Sequence, residues 1–232
     1  MLWQEDITGL NRLHAQIDTS VNDIAAANAI LAEEVKVKRT LTEEREKERL
    51  MDQLETEIEK HMSKLTAMAH QLENAVDKTS KAASTAILLC YIKRRCNLLF
   101  REHETHTIFP DELTNYLDEL AEIAGYSNIK IIVSSDVNTK LSIRCATLFY
   151  DFFYNVIEWA EFKSCPHIMV HFREGNSGVI MRLLPYASPT NFTPDAELLE
   201  AIAHNGGKFA LEDLDDAVAI GLLFPRGGEF HG

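Results

Sequence analysis

Neither glycine nor proline occurs between Gly9 and Pro110, while all six prolines and eight of the ten glycines lie at or beyond Pro110 and Tyr150 respectively. A stretch so long without a helix breaker excludes a turn-rich β architecture for the first half. Basic residues are also scarce, with 23 Lys and Arg against 36 Asp and Glu, for a net charge of −13. With a pI near 5.1, this excludes a general nucleic-acid binder, which needs a basic face. Only four cysteines occur, Cys90, Cys96, Cys145 and Cys165. They form no CxxC pair and no histidine stands at zinc-finger spacing from them, so no metal site is expected. They read as buried free thiols in a reducing cytoplasm.

Two further absences concern the membrane. The opening MLWQEDITGL has no basic segment followed by an apolar one, so it does not read as a signal peptide. The longest apolar run, Ala86 to Ile92, is far too short to span a bilayer. The expectation is a cytoplasmic protein, or a cytosolic part of a longer chain with a membrane-bound sensor region or partner.

What is present divides in two. The apolar fraction of 46% supports a real core. In the first half Leu10, Ile17, Ile24 and Leu31 recur every seven residues, with Leu13, Val21, Ala27 and Val35 between them, which is a heptad seam. The run Glu43-Glu44-Arg45-Glu46-Lys47-Glu48-Arg49 then offers nothing to bury. It reads as a solvated stretch of helix, or as a hinge between two packed segments. A second seam follows in a displaced register: Leu54, Ile58, His61, Leu65, Met68, Leu72 and Ala75. A second helix, roughly Thr79 to Glu102, carries Ala86, Leu88, Leu89, Ile92, Leu98 and Leu99. Two such helices are expected to cover their stripes by pairing with a second copy as a four-helix bundle.

The second half is mixed. Pro110, Asp111 and Glu112 open a helix that stops at Gly125. Ile129 to Val133 reads as a strand and Leu141 to Phe162 as a strongly apolar helix. His167 to Arg173 and Val179 to Leu184 read as a hairpin around Glu174-Gly175-Asn176-Ser177-Gly178. Thr193-Pro194 is expected to open a helix closed by Asn205-Gly206-Gly207, before strands at Lys208 to Glu212 and Val218 to Phe224. The order α β α β β α β β implies one antiparallel-rich sheet with helices on one face.

Three segments carry a family resemblance: Cys90-Tyr91-Ile92-Lys93-Arg94-Arg95-Cys96-Asn97-Leu98, Leu148-Phe149-Tyr150-Asp151-Phe152-Phe153-Tyr154-Asn155, and Leu223-Phe224-Pro225-Arg226-Gly227-Gly228-Glu229. They resemble the second hairpin helix, the asparagine box and the last strand with its tail in sensor histidine kinases of two-component systems. The resemblance implies an α+β fold. Residues 1–104 would be a helical coiled coil and dimerisation hairpin. Residues 109–232 would be an α/β sandwich of the gyrase–chaperone–kinase ATPase type. It also implies that Asp151 and Asn155, one helical turn apart, face ATP and Mg²⁺.

The departures from the family are specific. Glu158 stands where the family carries a basic residue near the phosphates, and Trp159 follows it. After Val179-Ile180-Met181-Arg182-Leu183-Leu184 the chain reads Pro185-Tyr186-Ala187-Ser188-Pro189, without the Asp-x-Gly turn that reads adenine. No glycine lies between Pro189 and His204, so the phosphate-holding lid is missing. Met51 occupies the best match to the phosphoacceptor histidine, and Met cannot accept a phosphoryl group. If an acceptor exists it is His61 or His70. His61 is preferred, on a register shifted by one so that Met62 is the core residue. Lys93-Arg94-Arg95 is the one basic cluster, a solubilising face or a docking patch for a response-regulator receiver domain or anionic lipid.

These features support a homodimeric pseudokinase or adaptor with impaired ATP binding. The alternatives are a phosphorelay phosphotransferase, an active but divergent kinase, and a coiled-coil structural or assembly protein. ATP and Mg²⁺ are expected only if the vestigial site works.

Overall fold

The computed structural model describes residues 2–74, 77–186, 192–214 and 217–225. They divide into two compact units, Met1–Gln53 and Leu54–Gly232. The contact boundary thus falls inside the first helix rather than between residues 104 and 109.

The first helix, α1, is Leu2–Asn74. It stays helical through the seven consecutive charges, because Glu, Lys and Arg are good helix formers and their charged ends remain in water. In the first unit Leu10, Leu13, Ile17, Val21, Ile24, Leu31 and Val35 are 52–66% exposed. A single helix has no second surface on which to bury them.

The second unit is built on one contiguous hydrophobic core. Helix α2 is Lys78–Glu104, with Asp77 capping its start by accepting from the Ser80 backbone N–H at 3.1 Å. Strand β1 (Thr107–Ile108) and β3 (Leu141–Ser142) form a two-stranded antiparallel ribbon. Between them lie helix α3 (Pro110–Gly125) and strand β2 (Lys130–Asp136). Helix α4 is Ile143–Lys163, β4 is His167–Gly175, β5 is Gly178–Pro185, α5 is Ala196–His204, β6 is Lys208–Leu214 and β7 is Ala217–Pro225. The five-stranded sheet has the order β2-β4-β5-β7-β6. Only β2 and β4 pair in parallel, since α4 supplies their crossover; the other pairings are antiparallel.

The expected apolar helix starts two residues later than read, because Leu141 and Ser142 pair with Ile108 and Thr107 and Ser142 caps α4 through Cys145 N–H. The expected strand at Ile129 to Val133 extends to Asp136, paired through to Arg173. Helix α5 begins after Asp195 rather than Thr193, and Asp195 makes no side-chain cap bond to it. Its end follows expectation: Gly206 has φ +71°, and Gly207 N–H donates to Ile202 O at 2.8 Å.

Packing corrects the reading of the hairpin. Ile87, Leu88, Tyr91, Ile92 and Leu98 of α2 are buried in the same core as α3, α4 and the sheet. A stripe expected to face a second copy is therefore consumed largely within the chain. On α1, Leu54 is buried, and Leu65 and Met68 pack against that core. Ile58, Met62, Leu89 and Phe100 are left exposed. Ala75 lies outside the described residues. Among the described residues no helix is long and apolar enough to cross a membrane.

Candidate functional site

Helix α4 holds the candidate residues, and two of its faces are spoken for. Phe149, Phe152, Phe153 and Val156 are fully buried in the core. Another face meets the hairpin, where the Tyr91 ring stacks on Tyr154 at 3.9 Å and on Tyr150 at 5.7 Å between centroids.

Asp151 lies at this second face. Its carboxylate is 3.1 Å from Arg95 Nε and accepts from Tyr91 Oη at 2.9 Å. Arg95 also lies 3.7 Å from Glu57. Burial pushes the Asp151 carboxyl above its ordinary range, and Arg95 opposes that shift. Burial likewise works against the Arg95 cation, but Asp151 and Glu57 more than offset it. The Glu57 carboxyl is held below its ordinary range by His61, against burial, with Arg95 adding to the effect. One cation thus bridges carboxylates from α1 and α4.

Asn155, one turn on, points to a different neighbour. Its Nδ2 donates to Asp195 Oδ2 at 3.1 Å, and its Oδ1 accepts from the Asp195 backbone N–H at 3.1 Å. The segment before Asp195 is packed onto the same helix. Phe192 is 3% exposed, with its ring 5.9 Å from Trp159, 6.1 Å from Phe152 and 5.9 Å from Phe209. Glu158 pairs with Lys64 and accepts from Tyr154 Oη at 2.8 Å.

Asp151 is thus shared between Arg95 and Tyr91, and both ends of the Asn155 amide are engaged by Asp195. Among the described residues no three His, Cys, Asp or Glu side chains are grouped to hold a metal ion. The structure brings Asp151 and Asn155 onto one helix, where they take different partners.

His61 sits against the edge of the Tyr91 ring, with centroids 5.4 Å apart, and its Nε2 is 3.9 Å from Glu57. Its side chain is 19% exposed. Met62 is 48% exposed. Within this chain His61, not Met62, is the inward residue, because its ring fills the angle between Tyr91 and Glu57. His70 is exposed, as is Met51. The basic cluster is also not a free patch. Arg95 is inside the network above, and Arg94 pairs with Glu119 while its guanidinium lies over the Tyr116 ring at 4.6 Å. Lys93 is 3.5 Å from Glu119.

Residues Ala187, Ser188 and Pro189 and the tail Arg226-Gly227-Gly228-Glu229 lie outside the described residues. Sequence reasoning missed Glu57, Phe192 and Asp195. Only Tyr91 and Arg95, polar groups four residues apart on an otherwise buried stripe, gave a signal that the hairpin answers α4.

The chain is similar in structure to solved histidine kinase domains. The histidine kinase domain of the Erythrobacter litoralis blue-light activated histidine kinase is 13% identical, with a TM-score of 0.43, over 78% of this chain and 94% of that one. The nucleotide-free catalytic domain of the histidine kinase ThkA is 15% identical, with a TM-score of 0.41, over 52% and 94%. A bacterial phosphotransferase is 11% identical, with a TM-score of 0.42, over 75% and 93%. No protein-family model matches the chain, and no curated protein does.

Proposed function

We propose that this chain is a two-component-type signalling protein that acts as a homodimeric pseudokinase or adaptor rather than as an ATP-dependent kinase. One observation carries the reading: the polar residues of α4 that would hold a nucleotide are engaged by the chain itself. Asp151 is held by Arg95 and Tyr91, and Asn155 by Asp195. A nucleotide has to break these contacts, each charge-assisted one worth about 1.5–3 kcal/mol, before making its own.

The continuous core supports the same reading. With α2 packed on α3 and α4, residues 54–104 form a fixed base for residues 109–232. On this reading residues 1–104 make the dimer, and the exposed seam of the first unit is its contact. The location is cytoplasmic, and a receiver domain is the partner class.

A phosphotransferase using His61 is the second reading, since Glu57 lies one turn away as an orienting carboxylate. Its weakness is electrostatic. Glu57 and Asp151 already engage Arg95, so a phosphoryl group arriving at His61 finds that guanidinium taken. Calorimetry with ATP and Mg²⁺ on the whole chain tests the main reading. Incubation with a phosphorylated receiver domain, followed by detection of acid-labile phosphate in wild type, His61→Ala and His70→Ala, tests the second.

A further inference from the structure

The described residues enclose a cavity of about 670 Å³ where α1, the start of α2 and the end of α4 meet the connection between α3 and β2. That volume suits a small molecule. Lys64 in its wall is taken by Glu158. Among the described residues Lys81 reaches the Gln71 side-chain oxygen at 3.4 Å and Glu161 accepts from Ser84 Oγ at 2.9 Å, and neither forms an ion pair within 4.0 Å. Lys81 and Ser84 are three residues apart on α2, so a free ammonium and a free carboxylate stand about one helical turn from each other. The floor is apolar, with Met68, Ile87 and Ile129. Ser127 Oγ, in the same wall, is buried with no hydrogen-bond partner among the described residues.

A ligand with a carboxylate and an ammonium side by side and an apolar side chain matches the two charges and the floor. Ser127 adds a hydroxyl for a ligand oxygen.

We propose that this cavity binds a zwitterionic small molecule of the amino-acid type with an apolar side chain, a site separate from the Asn155–Asp195 contact. The inference does not depend on the nucleotide result, since neither Lys81 nor Glu161 belongs to the Asp151 or Asn155 contacts. The test is thermal unfolding and calorimetry of the whole chain with L-leucine and L-phenylalanine, at up to about 10 mM, since a single small ligand of this class binds in the micromolar to millimolar range. N-acetyl-leucine, leucinamide and D-glucose are the comparison ligands. At ten times its dissociation constant a ligand should raise Tm by roughly 3–6 °C. The expected result is binding of at least one of the two amino acids, weakened about tenfold or more by Lys81→Ala and by Glu161→Gln, and lost when either charged end of the ligand is blocked. Circular dichroism of the unliganded variants should match wild type. The proposal is overturned if neither amino acid binds, if binding survives both substitutions or both blocked ligands, or if glucose binds in their place.

Discussion

Arg95 of α2 and Asp151 of α4 lie 3.1 Å apart, 56 residues distant in sequence, with Glu57 of α1 3.7 Å from the same guanidinium. This pair joins the helical hairpin to the helix that carries Asn155. Arg95→Ala leaves two partly desolvated carboxylates without a cation. Removing one partner of a buried pair costs about 3–5 kcal/mol. Urea unfolding should show that loss, and the Arg95→Ala/Asp151→Ala double variant should lose less than the sum of the single variants. Strict additivity would show that the pair does not couple.

ATP with Mg²⁺ should bind in the millimolar range or not at all. Two or three charge-assisted contacts at about 1.5–3 kcal/mol each separate that range from a micromolar site. A dissociation constant below about 50 μM by calorimetry would overturn the pseudokinase reading and restore Asp151 and Asn155 as ligands.

Light scattering should give twice 26.3 kDa. The contact is expected along the first unit, where Ile17 and Ile24 are 52% and 60% exposed. Ile17→Glu with Ile24→Glu should shift the protein towards monomer, because full burial of each isoleucine is worth about 1.5–3 kcal/mol. The melting of the second unit should be unchanged. Leu65→Glu is the contrasting variant: Leu65 packs on the chain's own core, so it should lower unfolding stability whatever the dimer does.

Alkaline pH should destabilise the second unit. Burial pushes the Cys90 thiol up from 9.0 to about 11, and burial raises Tyr91, Tyr150 and Tyr154 as well. Each of these groups holds its proton more tightly folded than unfolded. The Cys90 contribution is fully present below pH 9.0 and is lost as pH rises through about 11. Unfolding midpoints measured from pH 8 upwards should fall across that window. At pH 8 a thiol reagent should label Cys96 before Cys90, Cys145 and Cys165, which are buried. Fast labelling of Cys90 would contradict the packing of α2.

The sequence by itself determined the helical half, the order of the strands after Pro110 and the Asn205-Gly206-Gly207 stop. Each rests on local chemistry: the missing helix breakers, the two-residue alternation of strands, and the left-handed backbone that Gly206 adopts. It also showed the lost glycine motifs, since an absent residue needs no coordinates. Tertiary structure alone decided which partner each polar group took. Arg95 reads as part of a surface cluster but is turned inward to Asp151. Asn155 keeps a family-like position, yet Asp195, forty residues on, engages both ends of its amide. His61 and Met62 exchange their expected exposures because the Tyr91 ring, not the seam alone, sets the inner face of α1. Helical periodicity fixes a side chain's direction only to within part of a turn, and pairings across long sequence separations are settled by which buried charge finds a counter-charge when the helices dock.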